Sequence, residues 1–316
     1  MAEISSTMNN NIKGYILGAV AAASYGMNPL FALPLYERGM SPDSVLFFRY
    51  LFAIPILGVM LRSRGRDFKV GAKDIAPLVI YGILFAISSV TLFYSYNYMD
   101  AGIASTILFV YPILVALIMF AVFHEKLSWQ TILCIAMAIT GIGLLFKSSD
   151  GAMLSITGTL FVIGSALSYA IYIVGINHCR LRHIATIKVT FYVLLFGWIF
   201  ITITSLAGKG IQMPHSPVMW LCVFMLGLLP TAISLLCTTS AIKYIGSTPT
   251  AILGALEPVT ALFFGVTIFG EVISPREYLG LVLIISAVTM VVSGGGVGSL
   301  FIRIRKMFPR IRRKQK

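Results

Sequence analysis

Ten hydrophobic stretches, each long enough to cross a bilayer, occupy nearly all of this 316-residue chain. A spanning helix needs roughly 20 largely apolar residues, because it rises about 1.5 Å per residue across a hydrocarbon core of about 30 Å. The stretches run over 14–33, 42–61, 76–97, 102–123, 129–146, 156–177, 187–207, 218–240, 249–269 and 278–297. The expected fold class is therefore an all-α integral membrane protein with ten transmembrane helices. With 58% hydrophobic residues, 11% charged residues and a mean hydropathy of +0.92, the chain has a composition that soluble domains lack. Connections are mostly under about a dozen residues, so no segment is left for a soluble catalytic or binding domain. Ala21, Ala22 and Ala23 resemble a signal cleavage site, but only Lys13 precedes them nearby and the apolar run continues past them. The first stretch reads as a retained span.

The net charge of +13 would suggest nucleic acid in a soluble protein; here its distribution reports orientation. With the amino terminus in the cytoplasm, the inner segments hold Lys13, Arg62, Arg64, Arg66, Lys69, Lys73, Lys126, Arg180, Arg182, Lys188 and Lys243, together with the eight basic residues of the tail. The outer loops receive Arg38, Lys147, Lys209 and Arg276. This bias of nineteen to four fits the positive-inside rule with both termini cytoplasmic. The four cysteines are scattered, three in spans and Cys179 in a cytoplasmic loop, and form no disulfide framework.

The ten stretches fall into two sets of five. An ungapped offset of 146 residues matches Tyr98 with Tyr244, Pro112 with Pro258, Phe123 with Phe269, Glu125 with Glu271, Ser128 with Ser274 and Leu133 with Leu279. The shared pattern is a proline inside a span, a glutamate where the span ends, then a serine that starts the next helix. Ser274, Pro275 and Glu277 read as N-cap, first helical position and the glutamate of a capping box. An offset of 144 matches Gly14 with Gly158, Ala22 with Ala166, Ser24 with Ser168 and Tyr25 with Tyr169. The expected organisation is a short cytoplasmic segment (1–13), a first five-helix repeat (14–147), a second (148–298) and a basic cytoplasmic tail (299–316). Because each unit has an odd number of spans, the second lies inverted relative to the first. Inverted repeats place a substrate site near the bilayer midplane and expose it alternately to each side, which implies a secondary transporter.

These residues resemble the EamA-type members of the drug/metabolite transporter superfamily over residues 12 to 298. The most specific part is Leu256-Glu257-Pro258, then Gly270-Glu271 and Gly280, with Tyr111-Pro112, Glu125 and Gly141 as the degenerate counterpart in the first half. The resemblance implies ten spans in two five-helix repeats and export of amino acids, other metabolites or drugs through a central cavity, with spans five and ten as scaffold. Tyr111 stands where the second half has Glu257, so any role of that glutamate belongs to one half.

Glu257 is the acidic residue lying well inside a span, where a charge costs about 2.5–3.5 kcal/mol on insertion scales. It is a candidate proton acceptor or partner for a cationic group; the alternative is a hydrogen-bonded structural role beside Pro258. Arg49 is a candidate for holding a substrate carboxylate, since a guanidinium fork matches that group; the alternatives are a structural ion pair or an interfacial anchor. Tyr25 and Asn28 share a face of span one, and the repeat carries that face onto Tyr169 and Tyr172 of span six. These four, with Tyr81, Ser88 and Thr91 on span three, Tyr111 on span four and Ser234 on span eight, are the expected cavity lining. For most of the hydroxyls, packing near bent helices is the competing role.

His178, Cys179 and His183 lie together after span six but lack a fourth ligand type nearby, so neither metal nor cofactor is expected. No hydrolase, metalloprotease or phosphate-binding motif marks an enzyme. The spacing of Gly14 and Gly18 leaves monomer and homodimer both open. The reading is a transporter of a small-molecule solute in a lipid bilayer, without nucleic acid, exporting amino acids or related metabolites. The alternatives are an exporter of lipophilic cations with protons as coupling ion, exchanged at Glu257, and a lipid-handling membrane protein. Compact loops suit a bacterial plasma membrane, although Arg313-Lys314-Gln315-Lys316 loosely resembles an endoplasmic-reticulum retrieval signal.

Overall fold

A computed structural model describes residues 2–124, 129–145, 155–208, 210–245, 250 and 253–292. Glu125, Lys126, Ser128, Lys147, Lys209 and the basic tail lie outside them. The regular structure of the described residues is helical: α1 (Ala2–Gly26), α2 (Asn28–Glu37), α3 (Pro42–Ser63), α4 (Ala72–Ser95), α5 (Ala101–Leu108), α6 (Tyr111–Phe123), α7 (Trp129–Leu145), α8 (Ile156–His178), α9 (Thr186–Ala207), α10 (Pro217–Gly227), α11 (Ser234–Ile245), α12 (Leu256–Ile268) and α13 (Pro275–Val292). Among the described residues seven stretches are long and apolar enough to cross a bilayer, namely Ile12–Glu37, Pro42–Ser63, Ala72–Ser95, Ala101–Phe123, Ile156–Ile176, Thr186–Ala207 and Pro217–Ala241. Helices α7 and α12 are apolar but shorter.

Proline decides where the long stretches break. It lacks an N–H, so the carbonyl four residues earlier loses its helical donor. At Pro29 that carbonyl belongs to Tyr25, and Asn28 Nδ2 donates to it at 2.8 Å across the break between α1 and α2. At Pro230, inside a π turn (Leu228–Ile233) that joins α10 to α11, the carbonyl belongs to Leu226, and Thr231 Oγ1 donates to it at 3.1 Å. Helix α8 runs unbroken through Ile173, which the 144-residue offset places where span one has Pro29. The start of α13 carries the expected capping box: Ser274 N–H donates to Glu277 Oε2 at 2.8 Å, and Glu277 N–H donates to Ser274 Oγ at 3.2 Å.

The extensive helix pairs run between the first five stretches and the last five. Helix α1 packs on α11 and α12, α3 on α9 and α10, α4 on α8 and α9, α5 on α12, α6 on α8, and α7 on α13. Pairs within either half are small by comparison. Two glycines permit close approaches at matching crossings. A Cβ at Gly82 of α4 would stand 2.8 Å from Phe196 Cβ and 3.0 Å from the Val193 carbonyl; a Cβ at Gly227 of α10 would stand 2.8 Å from Phe52 Cβ and 3.0 Å from the Arg49 carbonyl. The main apolar core, with Phe48, Leu57, Phe93, Leu194 and Leu226 fully or almost fully buried, lies between the halves.

Candidate functional site

Helix α3 carries Arg49 into the protein, where it is 4% exposed. Its Nε donates to Thr231 Oγ1 at 3.1 Å, and its guanidinium carbon lies 5.4 Å from the Phe93 ring centroid, a cation–π distance. Since the Thr231 hydroxyl proton is engaged by the Leu226 carbonyl, its oxygen faces Arg49 as an acceptor. An arginine fixed through Nε and a ring face keeps its planar fork oriented. Tyr25 of α1 lies beside the guanidinium, and Glu257, in the first turn of α12, lies within its electrostatic reach. The two charges form no direct ion pair: among the described residues the ion pairs are Arg180 with Asp74 and Lys188 with Asp67.

Aromatic rings continue this surface. Tyr111 and Tyr169 meet edge to face at 4.8 Å, Tyr169 and Tyr172 stack at 5.7 Å, and Tyr172 meets Tyr81 at 6.5 Å. Phe85 packs on both Tyr169 and Tyr172. Glu257 lies within electrostatic reach of Tyr25, Tyr111 and Tyr169. The fold thus brings Tyr25, Arg49, Tyr111, Tyr169 and Glu257 together from five helices, and Tyr172 and Tyr81 lead away from them along α8 and α4.

The remaining expected residues make bonds within the helical frame. Asn28 is buried, with its amide nitrogen at the break before Pro29. The Ser88 and Ser165 hydroxyls lie 3.1 Å apart, and Ser165 Oγ donates to the Ser88 carbonyl at 2.7 Å, tying α4 to α8. Ser234 Oγ donates to the Ala21 carbonyl at 2.9 Å, tying α11 to α1. Thr91 Oγ1 donates to the carbonyls of Ile87 and Ser88 in its own helix.

Sequence reasoning passed over three aromatics around Arg49. Phe93 stacks on it; the Tyr50 hydroxyl lies 2.7 Å from Ser89 Oγ; and Tyr96 lies within electrostatic reach of Tyr25, Arg49 and Glu257. Phe93 and Tyr96 are three residues apart, the spacing that singles out Tyr25 and Asn28, and that signal was available.

Curated relatives share this length and pattern. The chain is 26% identical over 257 residues to an uncharacterized transporter of Archaeoglobus fulgidus, covering 80% of this chain and 88% of that protein. It is 23% identical over 289 residues to an uncharacterized transporter of Bacillus subtilis, covering 88% and 92%, and 22% identical over 290 residues to an uncharacterized inner membrane transporter of Salmonella typhimurium, covering 90% and 96%. A solved structure described only as a crystal structure of a protein matches with a TM-score of 0.63 at 17% identity, over 88% of this chain and 96% of that one, a likeness of fold. The model of the EamA-like transporter family matches twice, over residues 12–147 and again over 156–293. A chain covered almost end to end by two copies of that model, with membrane-length apolar helices along it, belongs to the EamA-like transporter family and is a membrane transporter.

Proposed function

We propose that this transporter works by alternating access, with ten spans arranged as two inverted five-span units, 14–147 and 148–298, around a substrate site between them. The observation that carries this reading is the helix pairing. Exchanging every helix for the one five spans away turns the pair α1–α11 into α8–α4, α3–α10 into α9–α4 and α1–α12 into α8–α6, and returns α3–α9, α5–α12 and α7–α13 to themselves. Two-fold related units produce such a closed set. The bonds from Ser165 to Ser88 and from Ser234 to Ala21 join positions related by the same offsets of 144 and 146. The two successive matches to one family model support the same division.

The site residues favour a zwitterionic, partly apolar solute, and we infer export of amino acids or related metabolites from the cytoplasm of a bacterium across its inner membrane. Arg49 offers a carboxylate two parallel hydrogen bonds. Glu257 supplies the opposite charge for an ammonium group, and the tyrosine and phenylalanine rings supply the apolar wall usual in small-molecule sites. Both termini lie in the cytoplasm on the charge bias. That Glu257 has no ion-pair partner among the described residues also favours a second reading, a proton-coupled exporter of lipophilic cations.

One experiment separates the two: untargeted comparison of metabolites released by cells with and without the protein, followed by counterflow of the enriched solutes in proteoliposomes. The amino acid reading expects carboxylate-bearing solutes among those released and loss of their counterflow in Arg49→Gln. A cation exporter would tolerate Arg49→Gln and lose pH-gradient-driven accumulation in Glu257→Gln. Translocation of phospholipid with no change in soluble metabolites would sink both.

A further inference from the structure

The turn after α12 returns a carboxyl group from the second half of the chain onto a helix of the first. Gly270 takes φ +68°, a left-handed conformation that glycine adopts without steric penalty. The Glu271 N–H then reaches back past the left-handed glycine to the Gly265 carbonyl at 3.0 Å, which closes the end of α12 on one of its otherwise unpaired carbonyls. The side chain folds over the bare face of Gly265 and meets Gly102 of α5, where a Cβ would stand 3.0 Å from Glu271 Oε2. Glu271 Oε1 accepts the Ala101 N–H at 3.0 Å. That amide begins α5 and has no partner within the helix, and an anion there is favoured by the helix dipole. Asp100, at the N-cap position itself, makes no capping bond. Glu271 Oε2 is buried without a hydrogen-bond partner.

A cavity of about 410 Å³ opens beside this carboxyl, between the ends of α2, α4 and α12. Its titratable lining groups are Tyr36, Glu37, Tyr96, Asp100 and Glu271; among the described residues no lysine or arginine lines it. Glu277 of α13 adds its charge next to Asp100. Burial pushes the Glu271 carboxyl up to about 7, the charge of Asp100 pushes in the same direction, and the amides of Ala101 and Gly102 oppose both. Asp100 is raised too, by burial first and then by Glu277.

The geometry points to Glu271 as a proton-binding site at this mouth of the transporter, whose protonated form clamps α5 to the end of α12. Binding a proton removes the buried charge and its repulsion with Asp100 while Oε1 still accepts the Ala101 N–H, so the clamp tightens as pH falls through neutrality and loosens as pH rises. The proton-binding group is distinct from Arg49 and Glu257, although Tyr96 borders both, and the proposal does not depend on which solute is carried.

Hydrogen exchange read by mass spectrometry on the full-length protein in nanodiscs, corrected for intrinsic exchange at each pH, tests this on the amides of α5. Protection should rise about tenfold between pH 8.5 and pH 5.5 in the wild type, and should be high and independent of pH in Glu271→Gln, whose amide oxygen can still accept the Ala101 N–H. Asp100→Asn, which removes the repulsion, should move the midpoint to lower pH, a shift that a merely structural glutamate would not give. Wild-type protection that is flat across this range would overturn the proposal, as would a midpoint unmoved by Asp100→Asn. The second criterion holds even where Glu271→Gln does not fold.

Discussion

Arg49 and Glu257 were legible at the scale of single residues, because a charge inside an apolar run announces itself whatever surrounds it. Their neighbours were harder to find. With 14 tyrosines and 21 phenylalanines in the chain, an aromatic side chain in a span carries little information until the fold says which ring faces which charge. The chemistry of Asn28 and Thr231 was half legible: Pro29 and Pro230 announce an orphaned carbonyl, but the sequence does not say which hydroxyl or amide answers it. Thr231 has two tasks, donating to Leu226 and accepting from Arg49. Thr231→Ala should therefore destabilise the protein by about 1–3 kcal/mol, the cost of leaving a buried polar group unpaired, whereas Thr231→Ser should stay near wild type; unfolding in denaturant measures both. At the proposed site, Tyr25→Phe and Tyr169→Phe should each weaken solute binding by about 0.5–1.5 kcal/mol, and the alanine variants by more, since the aromatic surface goes too. Equal affinity for the phenylalanine and alanine variants would remove these rings from the binding surface.

The helical elements were legible in existence and less so in extent. Each of the ten apolar stretches overlaps a described helix or pair of helices, seven of them of membrane-crossing length, and the capping box of Ser274 and Glu277 stands as the residue order predicts. What a hydropathy window averages away is the break: α1 ends at Gly26 and α5 at Leu108, each a few residues before a proline, and α12 starts only at Leu256. Close approach is equally invisible, since a glycine in an apolar run marks a contact without naming the other side. Gly82 and Gly227 perform equivalent tasks at the α4–α9 and α10–α3 crossings, with the same two distances of 2.8 and 3.0 Å to a side-chain and a carbonyl atom. Gly82→Ala and Gly227→Ala should each cost about 1–3 kcal/mol by overpacking, and by similar amounts. Thermal unfolding in detergent checks this; a large loss at one and none at the other would show that the two crossings are not equivalent.

Across the whole molecule, the two ends are tied by different chemistry at related positions. Lys188 Nζ donates to Asp67 Oδ1 at 2.5 Å and to the Lys69 carbonyl at 3.1 Å. The position 144 residues earlier is Ser44, whose hydroxyl accepts the Gln212 N–H at 2.9 Å, while Gln212 Oε1 accepts from Ser41 N–H at 2.6 Å. The hydrogen bond and then the charge of Lys188 hold Asp67 below the usual carboxylate range. A lowered carboxylate contributes above its ordinary value and loses that contribution as pH falls through the lowered one. Asp67 is exposed and Lys188 half-buried, so salt screens the pair in part. Raising salt to 1 M should speed hydrogen exchange at 66–74 and leave 210–216 unchanged.

Packing that runs between the halves also has a consequence during synthesis. At about 5–20 residues per second, the first five apolar stretches wait roughly 10–30 s for the helices that cover them. Through that interval Arg49 is already placed for the membrane while Thr231 has not been made. Either half expressed alone should be degraded or held by the insertion machinery, and the two halves expressed together should restore each other. The cell must therefore shelter an unfinished bundle that contains an unpaired guanidinium.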